Sequence, residues 1–393
     1  MRGGCLYEAE HQNGITHLLE HVSFRNLNHL YGGKLYSLLD KKGLDFNAST
    51  YKEFVRFTII GAPKHFDFAC RVILDLFKPI TVPAADIALE KKRIKAEIRE
   101  ADDKNSLDYY TDGFVWEGTP LRNLITGKIS VVDSIGKNAL ENFRNELFCK
   151  ENLFFYVTGK VSDSQCESFK ELCEGLEVGS TDKIKDNLAP VPKGFMKRNC
   201  LVTVKNSSEH FLRFSFDLDT QNLDCVALNL LYDILFCGDN CKMFQELSEK
   251  NGIVYSYDAR LEKYNNVGNL SFSFEVKPQD ILRAVEIVTE LLRKMKQGIS
   301  DELDYVRAAY TDNGDMILDN PDELNWARAY NCHILGEYYP DEKQRSLVYA
   351  AIKNSDIDSL SSRIFTCDNL ILSMKTNKKK TDTEKIRKIL LKL

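Results

Sequence analysis

The feature that most constrains this chain lies near its start, where two histidines stand four positions apart within residues 14–24. The apolar residues around them predict a helix with one buried side. On such a helix His17 and His21 lie one above the other, so that both imidazoles face one metal ion. Glu20 projects near the same edge, at a position suited to taking a proton from a water molecule on that metal. The stretch therefore predicts a helical metal site that carries its own base.

The order of these residues, H-x-x-E-H, is the inverted form of a zinc-peptidase motif. A second explanation is that the two histidines only cap a buried helix, because the spacing alone suits both arrangements. A zinc site also needs a third protein ligand. The motif by itself does not decide between the two explanations.

A long helix predicted from Pro83 to about Asp103 offers candidates for the third ligand. Its many charged residues would ordinarily form a solvated face. Two of its glutamates, Glu90 and Glu97, instead share a stripe with Ile87, Ile94 and Ile98. A carboxylate on an apolar stripe needs a partner, and a cation is an obvious one. Glu97 is therefore the candidate third ligand, with Glu90 as a second carboxylate nearby.

Length and composition exclude several classes of protein. The 393 residues are too many for one ordinary core and predict two domains. A formal net charge of −5 gives no footprint for nucleic acid. No apolar run is long enough to span a membrane, and the first residues lack a signal-peptide core. The eleven scattered cysteines, with no C-x-x-C pair, are typical of free thiols in a reducing compartment, which predicts a cytoplasmic location.

The second half of the chain repeats the first. Residues 149–155 are answered by residues 366–372, and the strand and helix of 57–76 by 270–292. Residues 152–159 are predicted to form a buried strand. The duplication predicts a zinc-binding domain over 1–180, a linker over 181–197 and a second domain over 198–393. The second copy has no H-x-x-E-H, so one half is expected to hold the chemistry.

These motifs together resemble the M16 metallopeptidases, the insulinase-like family of pitrilysin, insulin-degrading enzyme and mitochondrial processing peptidase. Glu97 lies 76 positions after His21, within the family's usual separation, and Glu90 lies seven positions before Glu97. Residues 244–255 match a second-domain motif that ends in Tyr255. The family's N-A-x-T strand is matched by Asn47, Ala48, Ser49 and Thr50.

The resemblance implies a fold and a set of roles. The fold is α+β, with two duplicated α/β domains of the LuxS/mitochondrial processing peptidase-like type, each a mainly antiparallel sheet covered by helices. Zn²⁺ would be held by His17, His21 and Glu97, with Glu20 as the base. Glu90 would tune the site and Tyr255 would donate to the oxyanion. The strand Asn47–Thr50 would pair with the backbone of a peptide substrate.

The chain departs from the family at two places. Family members normally have a further segment, including a first strand, before the stretch that matches Met1 to Gly4, so that either a truncated start or a naturally short domain is expected here. The family's arginine, seven positions before the tyrosine, is Ser248 in this chain, although Tyr255 is kept. In the family that pair reaches the substrate carbonyl at the zinc site. Tyr255 taken alone would equally suit a packing role in a strand.

The sequence therefore predicts a zinc-dependent endopeptidase that cleaves peptides or unfolded segments in a closed chamber. The alternative is a non-catalytic or partner-dependent M16 subunit of a heterodimeric peptide-processing complex. Ser248 favours that alternative, whereas the complete ligand set and Glu20 favour the enzyme. A homodimer or heterodimer with another M16-like chain is expected, and neither nucleic acid nor a membrane is. A small-molecule zinc lyase is a third possibility, which the two-domain repeat disfavours.

Overall fold

The computed structural model describes residues 1–180, 197–264, 266–298 and 302–393. These residues form sixteen α-helices and seven β-strands. The predicted linker, 181–197, lies outside these residues except for Lys197. The strands are β1 (Asp45–Thr50), β2 (Val55–Ile60), β3 (Leu201–Asn206), β4 (Phe211–Leu218), β5 (Asp258–Lys263), β6 (Gly268–Glu275) and β7 (Leu370–Thr376). The helices are α1 (Ile15–Leu30), α2 (Leu35–Lys42), α3 (Phe66–Asp75), α4 (Ala84–Ala101), α5 (Leu107–Val115), α6 (Ile129–Ser134), α7 (Lys137–Leu147), α8 (Asp163–Glu174), α9 (Cys225–Phe236), α10 (Lys242–Phe244), α11 (Ile281–Met295), α12 (Glu302–Ile317), α13 (Pro321–Ala329), α14 (Glu342–Ala350), α15 (Asn354–Ile364) and α16 (Thr383–Leu390).

Two compact units divide the chain, and neither is continuous in sequence. The first unit consists of Met1–Asp103, Asn123–Asn187 and Asn320–Ile334. The second consists of Lys104–Arg122, Leu188–Asp319 and Leu335–Leu393. Helix α5 thus belongs to the second unit and α13 to the first, which no sequence pattern indicated. The domain boundaries at 180 and 198 remain a prediction.

The core of the first unit forms where α1 lies against a β-hairpin. Strands β1 and β2 pair antiparallel, with Asn47 opposite Thr58. The ring of Phe24 on α1 lies 4.6 Å from the ring of Phe46 on β1. The buried apolar face of α1 is formed by Ile15, Leu18, Leu19, Val22 and Leu27. This packing fixes the motif helix beside the strand that carries Asn47.

The start of the chain extends this hairpin on the other side of β2. Met1 and Val55 exchange both backbone hydrogen bonds, with N–O distances of 3.2 and 2.9 Å, and the Gly3 amide donates to the Glu53 carbonyl at 3.1 Å. The buried strand predicted over 152–159 is wrong for the described structure. Residues 153–158 form no strand there, because the strand position between them and the far end of β2 is not filled by a described strand.

The second unit contains a five-stranded sheet in the order β3-β7-β4-β6-β5. Strands β3 and β7 run parallel, and every other neighbouring pair is antiparallel. Helices α9, α11 and α15 supply apolar residues to the core on one face of this sheet. Leu212, Phe214 and Phe216 of β4 face this core, and the polar residues between them are buried as well, so both faces of this central strand are covered.

Matching hydrogen bonds reveal the internal duplication. In the first unit, Asn152 binds the backbone amide and carbonyl of Arg2 at 3.0 and 2.9 Å and the carbonyl of Leu147 at 2.9 Å. In the second unit, Asn369 makes the same three bonds, at 3.2 and 3.0 Å to Asp217 and at 3.0 Å to the carbonyl at position 364. Each asparagine ties an extended segment, residue 2 in the first unit and β4 in the second, to the end of the helix that precedes the asparagine. The predicted fold of two duplicated α/β domains is confirmed.

Two expectations from composition can be compared with the structure. All eleven cysteines are free thiols. Among the described helices, none combines the length and the apolar character that crossing a bilayer requires.

Candidate metal centre

The first turn of α1 is held in place by groups outside the helix. Gly14 precedes the helix with a φ of +94°, and a Cβ there would lie 2.8 Å from the Thr126 carbonyl oxygen and 2.9 Å from the Gly127 Cα, so that only glycine fits. The buried carboxylate of Glu8 accepts hydrogen bonds from the backbone amides of Gly14 and Thr16, at 2.8 and 2.9 Å. A carboxylate at the amino end of a helix is favoured by the helix dipole. Glu8 therefore anchors the helix that carries the motif.

The structure brings His17, His21 and Glu97 together. The Nε2 atom of His17 lies 3.7 Å from Glu97 Oε1, and the Nε2 atom of His21 lies 3.8 Å from Glu97 Oε2. One ligand atom from each of the three residues lies within 4.8 Å of the other two. Helices α1 and α4 supply them, as the stripe on the long helix predicted.

The geometry of these three residues fits a metal ion. Distances of 3.7 and 3.8 Å are too long for direct hydrogen bonds, but they are close to the separation of neighbouring ligands around a tetrahedral zinc ion. Two imidazoles and one carboxylate are also a usual ligand set of catalytic zinc. Burial, and secondly the neighbouring His21, lowers the pKa of His17 to about 4, so His17 is neutral at pH 7 and its nitrogen is free to bind a cation.

Glu90 lies behind His21 and orients it. The carboxylate is only 2% exposed, and its Oε2 atom lies 3.4 Å from His21 Nδ1. The tautomer with hydrogen on Nδ1 donates to Glu90 and leaves Nε2 for the metal. Arg25, one turn after His21 on α1, donates from Nε to Glu90 at 2.7 Å. Burial raises the pKa of Glu90, but the hydrogen bonds with His21 and Arg25 outweigh it, so the pKa lies below its usual value.

Glu20 lies beside the three candidate ligands as a half-buried carboxylate. Its Oε2 atom accepts a hydrogen bond of 2.5 Å from the Thr50 hydroxyl, which fixes the carboxylate against β1. Burial raises the pKa of Glu20, while the Thr50 bond and the charge of His21 act in the opposite direction and Glu97 adds to the rise. A carboxylate with a raised pKa is better suited to accepting and returning a proton near neutral pH.

The strand β1 carries the four residues that match N-A-x-T. Its pairing with β2 uses the backbone groups of Asn47 and Ser49, which leaves those of Phe46, Ala48 and Thr50 directed to the opposite edge. In the described residues, β1 pairs with no strand on that edge. The Ala48 amide donates to the side-chain oxygen of Asn47 at 2.8 Å. An edge next to the ligands is therefore open to another strand.

Tyr255 and Ser248 belong to the second unit. Ser248 lies half-buried in a π-helical turn, Gln245–Glu249, that follows α10. Tyr255 is 94% exposed, so the packing role that a strand tyrosine would have is not what the structure shows. The role predicted for Tyr255 at the oxyanion remains a prediction.

Models of one peptidase family match both halves of the chain. The model described as Insulinase (Peptidase family M16) matches residues 1–124, and the model described as Peptidase M16 inactive domain matches residues 134–310. The chain belongs to the M16 peptidase family. The half that matches the insulinase model contains all three candidate ligands. The half that matches the inactive domain contains neither histidine of the motif.

Individual relatives agree with this assignment to the M16 family. An "uncharacterized zinc protease" of Rickettsia bellii is 24% identical over 369 residues, covering 92% of this chain and 88% of the relative. The uncharacterized zinc protease YmxG of Bacillus subtilis is 22% identical, with coverage of 93% and 89%. The β subunit of the mitochondrial-processing peptidase of Caenorhabditis elegans is 25% identical over 162 residues, covering 40% of this chain and 35% of the subunit.

A solved structure shows the same fold. The crystal structure of a protease from Helicobacter pylori superposes with a TM-score of 0.81 at 17% sequence identity, covering 95% of this chain and 91% of that one. At such low identity the likeness concerns the fold. It covers almost the whole chain.

Sequence reasoning missed two residues of this M16 site. Glu8 lies before the motif in an irregular segment, and only its acidic character close to a helix start hinted at an anchoring role. Arg25 follows His21 by one helical turn, so its position on the same face was available from the spacing. Its contact with Glu90, which is 65 positions away, was not.

Proposed function

We propose that this M16 chain is a zinc-dependent endopeptidase whose metal ligands are His17, His21 and Glu97. The observation that carries the proposal is the convergence of three possible ligand atoms within 4.8 Å, beside a half-buried glutamate, Glu20, that is not one of them. A structural histidine pair would not require an approaching carboxylate from a second helix. Relatives that cover most of the chain are named zinc proteases, which supports the same interpretation.

The residues of the chain divide the chemistry among them. A bound zinc ion would supply Lewis acidity, which lowers the pKa of water and polarises a carbonyl group. Glu20 accepts a proton from the attacking water and returns it to the leaving amine, and the Thr50 hydroxyl holds its carboxylate in position. Glu90 keeps His21 in the tautomer that presents Nε2, and Arg25 keeps Glu90 ionised. Tyr255 is proposed as a donor to the oxyanion.

The substrate proposed for this site is a peptide or an unfolded segment that can enter a closed chamber. The open edge of β1 suits an extended backbone, because Phe46, Ala48 and Thr50 direct their amides and carbonyls outward. Backbone pairing gives affinity with little demand on sequence. Glu20 contacts Thr50 at the end of that edge, so a bound strand passes close to the proposed base.

The second candidate is an M16 subunit that works only with a partner chain. Ser248 stands where the family has an arginine, and serine supplies neither its charge nor its reach. One relative is itself named as a subunit of a processing peptidase. In this candidate a homologous second chain supplies the arginine, and the zinc half of the present chain is used within a dimer.

Replacement of the proposed base tests the enzyme directly. Glu20→Gln keeps the size of the side chain and removes its basicity, so zinc binding is retained while cleavage of an unfolded protein falls by about 10²-fold or more. Glu100→Gln, an exposed glutamate on α4, is the matched control with unchanged activity. Equal cleavage by the wild type and Glu20→Gln would reject the mechanism. Absence of cleavage by all three proteins until a second M16 chain is added would select the partner-dependent candidate.

A cytoplasmic location is proposed from the cysteines, all eleven of which are free. Free thiols persist in reducing compartments and tend to be oxidised elsewhere. Thiol titration of the protein recovered from fractionated cells measures this directly. Recovery in an oxidised form from an extracytoplasmic fraction would contradict the proposal.

A further inference from the structure

The two candidate histidine ligands are held in different ways. The ring of His21 has the buried carboxylate of Glu90 beside its Nδ1 atom, at 3.4 Å. The Nδ1 atom of His17 is buried too, but it has no hydrogen-bond partner among the residues that the structure describes. A histidine that binds a metal usually donates its second ring nitrogen to a carboxylate or a carbonyl group, which fixes the ring. The ring of His17 lacks the restraint that Glu90 gives to His21.

The backbone beside His17 has the restraint that its ring lacks. The amide of Thr16, the residue directly before His17, donates to Oε1 of Glu8 at 2.9 Å. The amide of Gly14 donates to Oε2 of the same carboxylate at 2.8 Å. Hydrogen bonds to an ionised group are stronger than those between neutral groups, and Glu8 is buried, which shields these bonds from water. The position of the backbone at His17 is therefore tied to Glu8.

Side chains around Glu8 complete its hydrogen bonds. Asn13 donates from Nδ2 to Oε2 of Glu8 at 3.0 Å and to the carbonyl of Leu124 at 3.0 Å. The hydroxyl of Thr16 forms a hydrogen bond with the Glu8 carboxylate and accepts one from the amide of Gly4 at 3.3 Å. The carboxylate thus has two backbone partners and two side-chain partners, which matches the capacity of its two oxygens. A neutral carboxamide has one oxygen and could not accept the same set of bonds.

Helix α1 cannot supply this carboxylate from its own first residue. The side chain that caps a helix normally belongs to the N-cap residue, and at α9 of the second unit Asp224 caps in this way. The N-cap residue of α1 is Gly14, where a Cβ would lie 2.8 Å from the carbonyl oxygen of Thr126. Glycine is required at this close approach, so the anchoring carboxylate has to come from outside the helix.

We propose that Glu8 is a positioning residue for the metal site, which holds His17 through the backbone of Thr16 as Glu90 holds His21 through its ring. This inference rests on the proposed function, because it takes His17 as a metal ligand. Glu8 does not bind the metal, since its oxygens are used by the start of α1. Without Glu8 the first amides of α1 lose their acceptor, and His17 is no longer fixed opposite Glu97. The expected result is weaker binding of the metal by a chain that still folds.

The substitution Glu8→Gln tests this inference on the full chain. It keeps the size of the side chain but leaves one acceptor oxygen, so we expect the affinity for zinc to fall by about 10- to 100-fold. Competition with a chromophoric chelator measures the zinc dissociation constant, and circular dichroism of the metal-free protein confirms that it is folded in the assay. Two controls remove helix caps elsewhere, Ser162→Ala on α8 of the same unit and Asp224→Ala on α9 of the second unit. Both are expected to bind zinc as tightly as the wild type.

A second pair of variants decides the question if Glu8→Gln does not fold. Thr16→Val keeps the branched shape of the side chain and removes its hydrogen bond with Glu8, so the affinity for zinc falls by about 3- to 10-fold. Thr16→Ser keeps the hydroxyl and the affinity of the wild type. Equal affinities of Thr16→Val and Thr16→Ser would then overturn the inference.

The outcomes separate this inference from the proposed function. Zinc binding by the wild type, with an equal affinity in folded Glu8→Gln or an equal loss in either control, overturns the role of Glu8 and leaves the metal site in place. Absence of zinc binding by the wild type overturns the proposed function and this inference with it.

Discussion

The two units build the same helix in opposite ways. Helix α9 of the second unit starts with Asp224, whose side chain accepts from the amides of the next turn at 2.9 and 3.1 Å, and its middle is apolar. Helix α1 of the first unit starts with Gly14 and takes its carboxylate from Glu8, six positions earlier. Its middle places the buried His17 and the half-buried Glu20 beside the buried Leu18 and Leu19. Helix α9 is capped by the residue directly before it and packs into the core with apolar side chains. Helix α1 is anchored by a residue outside the helix and carries polar side chains at the candidate site.

This difference between α1 and α9 lowers the stability of the first unit at one atom. The Nδ1 atom of His17 is buried and has no hydrogen-bond partner among the described residues. A buried polar atom without a partner destabilises the fold by about 1–3 kcal/mol. In the equivalent helix of the second unit, Leu230 and Leu231 are fully buried and carry no such cost. The unpartnered nitrogen thus makes the helix that carries the candidate metal ligands the less stable of the two.

The largest expected effect is the loss of the metal. His21→Ala removes one of three ligands, so purified protein that holds about one zinc ion per chain is expected to hold none. Plasma emission spectroscopy measures the zinc content. His29→Ala, at an exposed position on the same helix, is the control and retains the metal. Zinc that survives His21→Ala would mean that α1 differs from α9 for a reason other than metal binding.

The destabilising effect of burying His17 is tested through the pH dependence of the free energy of unfolding of the metal-free protein. Its pKa is lowered to about 4 in the folded chain, against about 6.5 when unfolded. Between these values the unfolded chain binds a proton that the folded chain does not, so stability falls as the pH falls through this window. The wild type loses at most about 3 kcal/mol of its free energy of unfolding in this way. His17→Leu, which introduces an apolar residue like those of α9, is expected to abolish this loss.

Urea unfolding at pH 7 and pH 4.5, with a chelator present, gives the two free energies of unfolding for His17→Leu and for a control, His29→Leu. The control is expected to keep the pH dependence of the wild type, because His29 is exposed. An unchanged pH dependence in His17→Leu would show that the burial of His17 is not the source of the difference between α1 and α9.

The smallest effect concerns the second unit. Ser248→Arg restores the side chain that the family normally has, so the isolated chain is expected to cleave an unfolded protein several times faster, by about 2- to 10-fold. Ser248→Lys supplies charge without the planar, bidentate group and serves as the control. Efficient cleavage by the wild type, with no gain in Ser248→Arg, would show that no partner arginine is needed.

Local pattern was enough to select the candidate ligands. The four-residue spacing of His17 and His21 and the stripe shared by Glu90 and Glu97 depend only on helical geometry, and the structure brings all four side chains together. The Glu8 anchor and the Arg25–Glu90 pair could not be predicted in this way. They depend on how an irregular segment and two separate helices come together in the folded chain.

The strand expected over 152–159 failed for a related reason. Residues 153–158 have the apolar character of a strand, as β7 does in the second unit, but a strand exists only when another strand pairs with it. The sequence of one segment does not show whether another strand occupies the position next to it in the folded chain. The assignment of α13 to the first unit was equally inaccessible, because it rests on long-range contacts such as that between Arg56 and Asp322.

The discontinuous units have a consequence for synthesis on the ribosome. Helix α13 belongs to the first unit, and its Trp326 packs on the rings of Tyr51 and Phe54 at 5.3 and 5.6 Å. The nascent first unit is therefore complete only after residues 320–334 have emerged, well after its motif helix. A domain that would ordinarily fold as one continuous segment is here finished only after residues 188–319 of the second unit have been made. A ribosome stalled before residue 320 would expose the helix of the candidate metal ligands in a unit that still lacks part of its own cover.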